Sequence, residues 1–152
     1  MPTQTEPDVT KLTVAEISRR LATREITAAA LVEAYLARIE AVDSRIHSYI
    51  HVAADSARQW AAAADREIAA GGRLGALHGI PFAVKDNYDA AGMRATAGSR
   101  LRIDHVPQTD AALVSDLKSA GAVLLGKLST WEYGTGNGGE YFDLPFAPAR
   151  NP

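Results

Sequence analysis

The residues best suited to chemistry are a lysine and two short polar side chains that follow an apolar run. That run is Ile80 to Val84, with a glycine before it and Lys85, Asp86 and Asn87 after it. Because the run lacks polar–apolar alternation, it predicts a strand buried on both faces. An ammonium group at the end of a buried strand must be solvated, paired or deprotonated. Lys85 is therefore a candidate base near neutral pH, and the alternative is a lysine whose head group stays in water.

Composition excludes several classes of protein. The 152 residues contain 16 Lys and Arg against 18 Asp and Glu, a net charge of −2, which argues against a nucleic-acid-binding surface. The absence of cysteine removes disulfides, thiolate nucleophiles and zinc–thiolate sites. Residues 1–10 are polar with two prolines, so they predict a disordered N-terminus and not a signal peptide. We expect a soluble, cytoplasmic protein with no cofactor and no metal.

Apolar periodicity predicts four helices and three strands. Thr13 with Glu16 forms a capping box for the first helix, and Thr27 caps the second. A third helix is expected over residues 54–70, and a fourth begins after Thr109 or Asp110. The strands are expected at residues 46–52, 80–84 and 122–125, and the chain from residue 128 onward is expected to be irregular. This alternation predicts an α/β layer fold with a partly parallel sheet.

Two glycine patterns resemble phosphate-binding loops but lack the required setting. Residues 121–127 end in Gly-Lys, yet Leu128 stands where Ser or Thr would hold magnesium, and the intervening residues favour a strand. Residues 134–139 contain G-x-G-x-x-G, but this pattern neither follows a strand directly nor opens a helix. We reject both as nucleotide sites.

Histidine-based sites are also disfavoured. His47 and His51 have the spacing of zinc ligands on a helix, but the segment reads as a strand and has no third ligand. A triad of Ser99, His78 and Asp86 would need a nucleophile elbow, which no serine here occupies.

Four ordered blocks together resemble the amidase signature family. They are residues 77–87, 92–99, 126–133 and 148–152, and the resemblance extends from Thr13 to the last residue. It implies the N-terminal part of the amidase-signature fold, with helices layered on a partial mixed β-sheet. In that family a Ser–Ser–Lys triad cleaves carboxylic amides through an acyl-serine intermediate. Lys85 matches the triad lysine, which exchanges a proton with one serine and so activates the other.

The resemblance also suggests supporting and substrate-binding positions. Asp86 and Asn87 are expected to fix the lysine loop by hydrogen bonds. A family turn near the catalytic centre matches Thr96, Gly98 and Ser99, for which a plain turn is an equal alternative. A loop that borders the acyl pocket in relatives matches the substrate-binding candidates Tyr133, Gly134, Thr135 and Gly136.

The departures from the family pattern concern the end of the sequence. In relatives a glycine-serine-serine-glycine segment carrying both triad serines follows the motif found here at Arg150-Asn151-Pro152. We therefore expect residues 11–152 to be the N-terminal portion of a single amidase domain, inactive by itself. Leu128, Ser129 and Trp131 depart from many relatives and leave the subfamily open.

Two alternatives remain from the sequence. One is the amidase component of a glutamyl-tRNA amidotransferase, which releases ammonia from glutamine for a partner protein. The other is a non-catalytic binding module. For the amidase interpretation the expected partner is a small-molecule amide, with neither nucleic acid nor membrane. Association with the C-terminal part of the domain, or with a second copy of the chain, is also expected.

Overall fold

The fold is a three-stranded mixed sheet packed against helices, in a computed structural model that describes residues 8–72, 75–135 and 144–152. The helices are α1 (Val14–Ala22), α2 (Ala28–Ile46), α3 (Ala54–Ala69) and α4 (Ala112–Ser119). The strands are β1 (Tyr49–Val52), β2 (Pro81–Lys85) and β3 (Val123–Leu128). Their order is β1-β3-β2, with β3 antiparallel to β1 and parallel to β2. The predicted α/β class with a partly parallel sheet is confirmed.

Side-chain caps define where the first two helices begin. Thr13 Oγ1 accepts a hydrogen bond from Glu16 N, and Glu16 Oε2 accepts one from Thr13 N at 2.8 Å, which confirms the capping box. Thr27 Oγ1 caps α2 through Ala30 N, as predicted. The N-terminus of α2 is also capped from another helix, because the Asp65 carboxylate of α3 accepts from its first two amides at 2.6 and 3.0 Å.

The core has two parts, one on each face of the sheet. On one face, Val123 and Leu125 of β3 pack against the buried sides of α1, α2 and α3. On the other face, Leu124 and Val84 pack with Val114 of α4 and with the segment that connects β2 to α4. The sheet is therefore covered by helices on one side and by α4 and a long connection on the other.

Four local predictions were wrong. Residue 46 ends α2 and His47 is left-handed (φ 52°), so the predicted strand over 46–52 begins only at Tyr49. Ala111, not Thr109 or Asp110, is the N-cap of α4, because Asp110 instead accepts from Ala91 N and Lys118 Nζ.

The third wrong prediction concerns the burial of β2. Among the strands of residues 8–72, 75–135 and 144–152 it has a neighbour on one side only, and Val84 is its one buried residue. The fourth wrong prediction concerns the central strand β3, which runs to Leu128 and not only to residue 125.

The first described residues form a short 3-10 turn at Val9–Lys11, started by Asp8, whose carboxylate accepts from Thr10 N at 3.0 Å. Residues 9 and 10 of the predicted disordered N-terminus lie in this turn, and residues 1–7 lie outside the described part. Among the described helices, none is long and apolar enough to cross a membrane.

Candidate active site

The candidate site lies at the end of the sheet where the last residues of β2 and β3 and the first residue of β1 lie side by side. Lys85 is the last residue of β2 and pairs with Leu128, the last residue of β3. Leu128 in turn pairs with Tyr49, the first residue of β1. Since neighbouring strands are about 4.8 Å apart, this row spans about 10 Å. Segments that leave these three strand ends are therefore brought close to Lys85.

Next to Lys85 lies a fully buried ion pair. Asp86 is 1% exposed and Lys127 is 0% exposed, and Lys127 Nζ lies 3.0 Å from Asp86 Oδ1. The second carboxylate oxygen, Oδ2, accepts from Thr96 N at 2.9 Å and from Thr96 Oγ1 at 2.5 Å. Buried charges are tolerated when they are paired and hydrogen-bonded, and the Asp86 carboxylate meets both conditions.

Lys127 is the residue of this pair that sequence reasoning missed. The pairing of β2 with β3 shifts register between Phe82 and Ala83, whose partners are Leu124 and Gly126, so β3 carries one extra residue there. In a regular strand, residues three apart point to opposite faces. The bulge instead places Lys127 on the same face as Leu124, where Asp86 and Thr96 lie. The signal in the sequence was a lysine after an apolar run that ends in glycine.

The predicted turn at residues 96–99 is held to the strand end by backbone contacts. Ala97 N donates to Asp86 O at 3.3 Å, and Gly98 N donates to Thr96 Oγ1 at 3.1 Å. Ser99 is fully buried, and its hydroxyl accepts from Leu101 N at 3.2 Å, which caps the following 3-10 turn. The structure therefore joins Thr96 and Gly98 to the Lys85 region, whereas the Ser99 hydroxyl serves the turn that follows it.

The predicted substrate-binding loop reaches the same place. Tyr133 N donates to Ala97 O at 2.7 Å, and both Tyr133 (φ 51°) and Gly134 (φ 78°) are left-handed. A Cβ atom at position 134 would lie 3.4 Å from Lys85 Nζ and 3.2 Å from Asn87 Nδ2. Glycine thus lets this backbone approach the lysine closely.

The neighbouring loop residues contribute less. The Thr135 hydroxyl donates to Glu132 O at 3.4 Å, so its described contact stays within the loop. Gly136 lies outside the described residues.

The four lysines of the chain differ in their charge partners. Lys11 pairs with Asp8 at 3.7 Å, Lys118 with Asp110 at 2.8 Å, and Lys127 with Asp86. For Lys85 Nζ, no carboxylate of a described residue lies within ion-pair distance. Lys85 is thus the lysine whose amine no described carboxylate occupies.

The histidines considered from the sequence have other neighbours in the described part of the chain. His78 lies before β2, with Nε2 3.1 Å from Glu67 Oε2, at the end of the strand opposite to Asp86. His47 Nδ1 is 3.3 Å from Pro148 O. Within residues 8–72, 75–135 and 144–152, no group of three potential metal ligands is found.

The last described segment lies at the same end of the sheet as Lys85. Arg150 N donates to Ile46 O at 2.7 Å, at the point where α2 ends. Three residues later β1 begins with Tyr49, which shares the row of Lys85. The Arg-Asn-Pro motif is therefore held near the start of β1, which β3 separates from the strand that carries Lys85.

Sequence comparison identifies the family of this chain. The model of the family described as Amidase matches residues 30–152. This chain belongs to the amidase family. It is similar to the A subunit of the glutamyl-tRNA(Gln) amidotransferase from Geobacter sulfurreducens, with 44% identity over 142 residues, which cover 93% of this chain and 29% of that relative.

Solved structures of amidases have the same fold. A peptide amidase from Stenotrophomonas maltophilia is 40% identical, with a TM-score of 0.77, over 81% of this chain and 26% of that one. Another structure, described as an amidase, is 33% identical with a TM-score of 0.80 over 92% of this chain and 31% of that one. The chain thus spans about three tenths of the length of these relatives.

Proposed function

We propose that Lys85 is the base of an amide-cleaving site of the Ser–Ser–Lys type. The observation that carries the proposal is the setting of its amine: it ends a strand, and no described carboxylate pairs with it. A neutral amine at this place can accept the proton of a serine hydroxyl, which then attacks the carbonyl carbon of an amide. The C–N bond breaks with transfer of a proton to the leaving amine, and water hydrolyses the acyl-serine.

The remaining site residues would position this amine and border the substrate. Asp86 and Thr96 fix the backbone that follows Lys85 through buried hydrogen bonds. Gly134 leaves room beside the amine, and the half-exposed ring of Tyr133 would contact the acyl part of the substrate. Asn87, whose amide nitrogen faces Gly134, would donate to a substrate carbonyl or hydroxyl oxygen.

The serines of the triad are proposed from the family resemblance. In relatives they follow the Arg-Asn-Pro motif, and here the Arg150 amide is bonded to Ile46 O, just before β1 begins. We propose that residues 1–152 by themselves do not hydrolyse amides, because they contain neither that nucleophile nor its oxyanion-binding amides.

A second candidate is glutamine hydrolysis within an amidotransferase. The 44% identity to a component of a glutamyl-tRNA(Gln) amidotransferase favours it, whereas the 40% identity to a peptide amidase favours an independent hydrolase. The two functions share Lys85 and differ in substrate and in the need for partner proteins. A cytoplasmic location fits both and is part of the proposal.

The test compares substrates and variants of the protein expressed from its complete open reading frame. Ammonia release is measured with glutamine, with a peptide amide and with simple aliphatic and aryl amides. We expect turnover of at least one class to fall by at least about 100-fold in Lys85→Ala. The matched control is Lys11→Ala, since Lys11 is exposed and far along the chain from the site, and it should keep full activity.

Two results would overturn these proposals. Full activity of Lys85→Ala would exclude the lysine as the base. Turnover by residues 1–152 alone that disappears in Lys85→Ala would refute the proposed inactivity of this part. Preference for glutamine over the other amides would select the amidotransferase function.

A further inference from the structure

We propose that Lys127 is a positioning residue of this site, and this proposal rests on the function proposed for Lys85. Its buried ammonium ties the carboxylate of Asp86 to the central strand, and Asp86 directly follows Lys85. In this way β3 fixes the position of Asp86, the first residue after β2. Lys127 itself does not touch the substrate.

The burial of Lys127 indicates a specific role. A lysine side chain is seldom fully buried unless it is paired, and taking two charges out of water costs several kcal/mol per ion. A hydrophobic pair of similar volume would fill the space as well or better. What the charged pair adds is a fixed orientation of the Asp86 carboxylate. Lys127 Nζ donates to Asp86 Oδ1 at 3.0 Å and lies 3.4 Å from Arg94 O.

A local irregularity of β3 creates this contact. The bulge at Gly126 turns Lys127 to the face that carries Asp86. At Gly126 a Cβ atom would collide with His51 O, so β1 can approach here only because the residue is glycine. Both residues are thus required, because Gly126 permits the bulge and the close approach of β1, and Lys127 forms the ion pair with Asp86.

Backbone hydrogen bonds connect Asp86 to the predicted substrate-binding loop at Tyr133. Asp86 O accepts from Ala97 N, and Ala97 O accepts from Tyr133 N at 2.7 Å. The Asp86 carboxylate also holds Thr96 through two hydrogen bonds. One buried ammonium therefore supports both the strand end with Lys85 and the backbone that reaches Tyr133.

The test separates positioning from simple stabilisation. In the protein expressed from its complete open reading frame, Asp86→Asn with Lys127→Met removes both buried charges, so no unpaired charge remains in the core. We expect this double variant to fold and its kcat to fall by about tenfold to 100-fold, because a shift of about 1 Å at a catalytic group costs up to about 100-fold. KM should change by less than about threefold, since the affected group acts in the chemical step.

A matched control is available on α4. Lys118 and Asp110 form a pair of similar length, 2.8 Å, whose side chains are only partly buried. Asp110→Asn with Lys118→Met should change the stability while leaving kcat and KM within about twofold. Thr96→Val removes the hydroxyl contact of 2.5 Å and leaves the charge pair intact, and it should lower kcat in the same way by about tenfold.

The outcomes distinguish this inference from the proposed function. An active Lys85→Ala variant would refute the proposed function. If Lys85→Ala is inactive while the double variant and Thr96→Val keep kcat within about threefold of the wild type, the role of Lys127 is refuted alone. Should the double variant not fold, Lys127→Met alone decides, because Asp86 keeps its hydrogen bonds to Thr96 and a kcat within about threefold of the wild type would refute the role of Lys127.

A readout independent of activity is amide hydrogen exchange. The Ala97 and Tyr133 amides, which are bonded through the tied turn, should lose protection in the double variant and keep it in the α4 control. Unchanged protection of both amides would overturn the proposal.

Discussion

Replacement of Gly98 by alanine should destabilise the protein far more than replacement of Gly92. Both glycines lie in the connection after β2 and are left-handed, with φ values of +69° and +75°. A Cβ atom at position 92 would meet nothing within 4 Å, whereas at position 98 it would lie 2.8 Å from Thr130 O and 3.2 Å from Trp131 C. These neighbours are backbone atoms, which cannot move aside as the tip of a side chain can.

The expected magnitudes follow from these two environments. A left-handed alanine costs about 1 kcal/mol relative to glycine, so Gly92→Ala should lower the free energy of unfolding by about that amount. Overpacking against fixed atoms adds about 1 to 3 kcal/mol, so Gly98→Ala should lower it by about 3 kcal/mol. Because the turn at residues 96–99 carries contacts to Asp86 and Tyr133, Gly98→Ala should also disturb the site.

Urea unfolding followed by circular dichroism measures both values, with the slope m compared to exclude a change in the unfolded state. The same activity assay as for Lys85 is applied to the two variants. Equal losses of stability in Gly92→Ala and Gly98→Ala would refute the reasoning, because it attributes the difference to the Thr130 and Trp131 backbone alone.

Two further predictions concern the helical layer and the start of β1. Asp65→Ala should cost about 2 kcal/mol in urea unfolding, since it removes two capping bonds at the N-terminus of α2. In the control Asp55→Ala, which removes an exposed carboxylate, the cost should stay below about 0.5 kcal/mol; equal costs would contradict the capping role. Burial, and secondarily the charge of Asp43, raise the pKa of Tyr49 to about 12. The neutral phenol therefore contributes its full stabilisation below about pH 10. That contribution is lost as the pH rises towards 12, because the unfolded chain then releases the proton before the folded one does. Allowing for partial exposure, the free energy of unfolding should fall by about 1 to 2 kcal/mol across this pH range. The fall should be smaller in Tyr49→Phe, and an identical pH dependence of the two proteins would exclude this assignment.

Local signals allowed the starts of α1 and α2 and the place of Lys85 to be predicted. Thr13 with Glu16 satisfies amides within one turn, so the residues that decide this cap are adjacent in the sequence. The apolar run before Lys85 likewise depends on near neighbours, and β2 ends at that lysine. The connection between α2 and β1 was predicted less well, because a left-handed His47 ends the helix without glycine.

Features that depend on distant contacts could not be predicted. Asp110 has the residue type of a helix cap but binds Lys118 and the backbone of Ala91 instead, a choice made by tertiary structure. Lys127 was missed because a bulge reverses the face to which a lysine near the end of β3 points. Its partner Asp86 is 41 residues away, so the buried pair is not visible in any short window of sequence.

The central claim is that Lys85 activates a serine nucleophile, and labelling by a fluorophosphonate tests it most directly. The probe reacts covalently with an activated serine and requires neither a known amide substrate nor partner proteins. The protein expressed from its complete open reading frame should be labelled at a serine, and Lys85→Ala should be labelled at least about 100-fold more slowly while Lys11→Ala reacts at the rate of the wild type. Equal labelling rates in Lys85→Ala and the wild type would contradict the account.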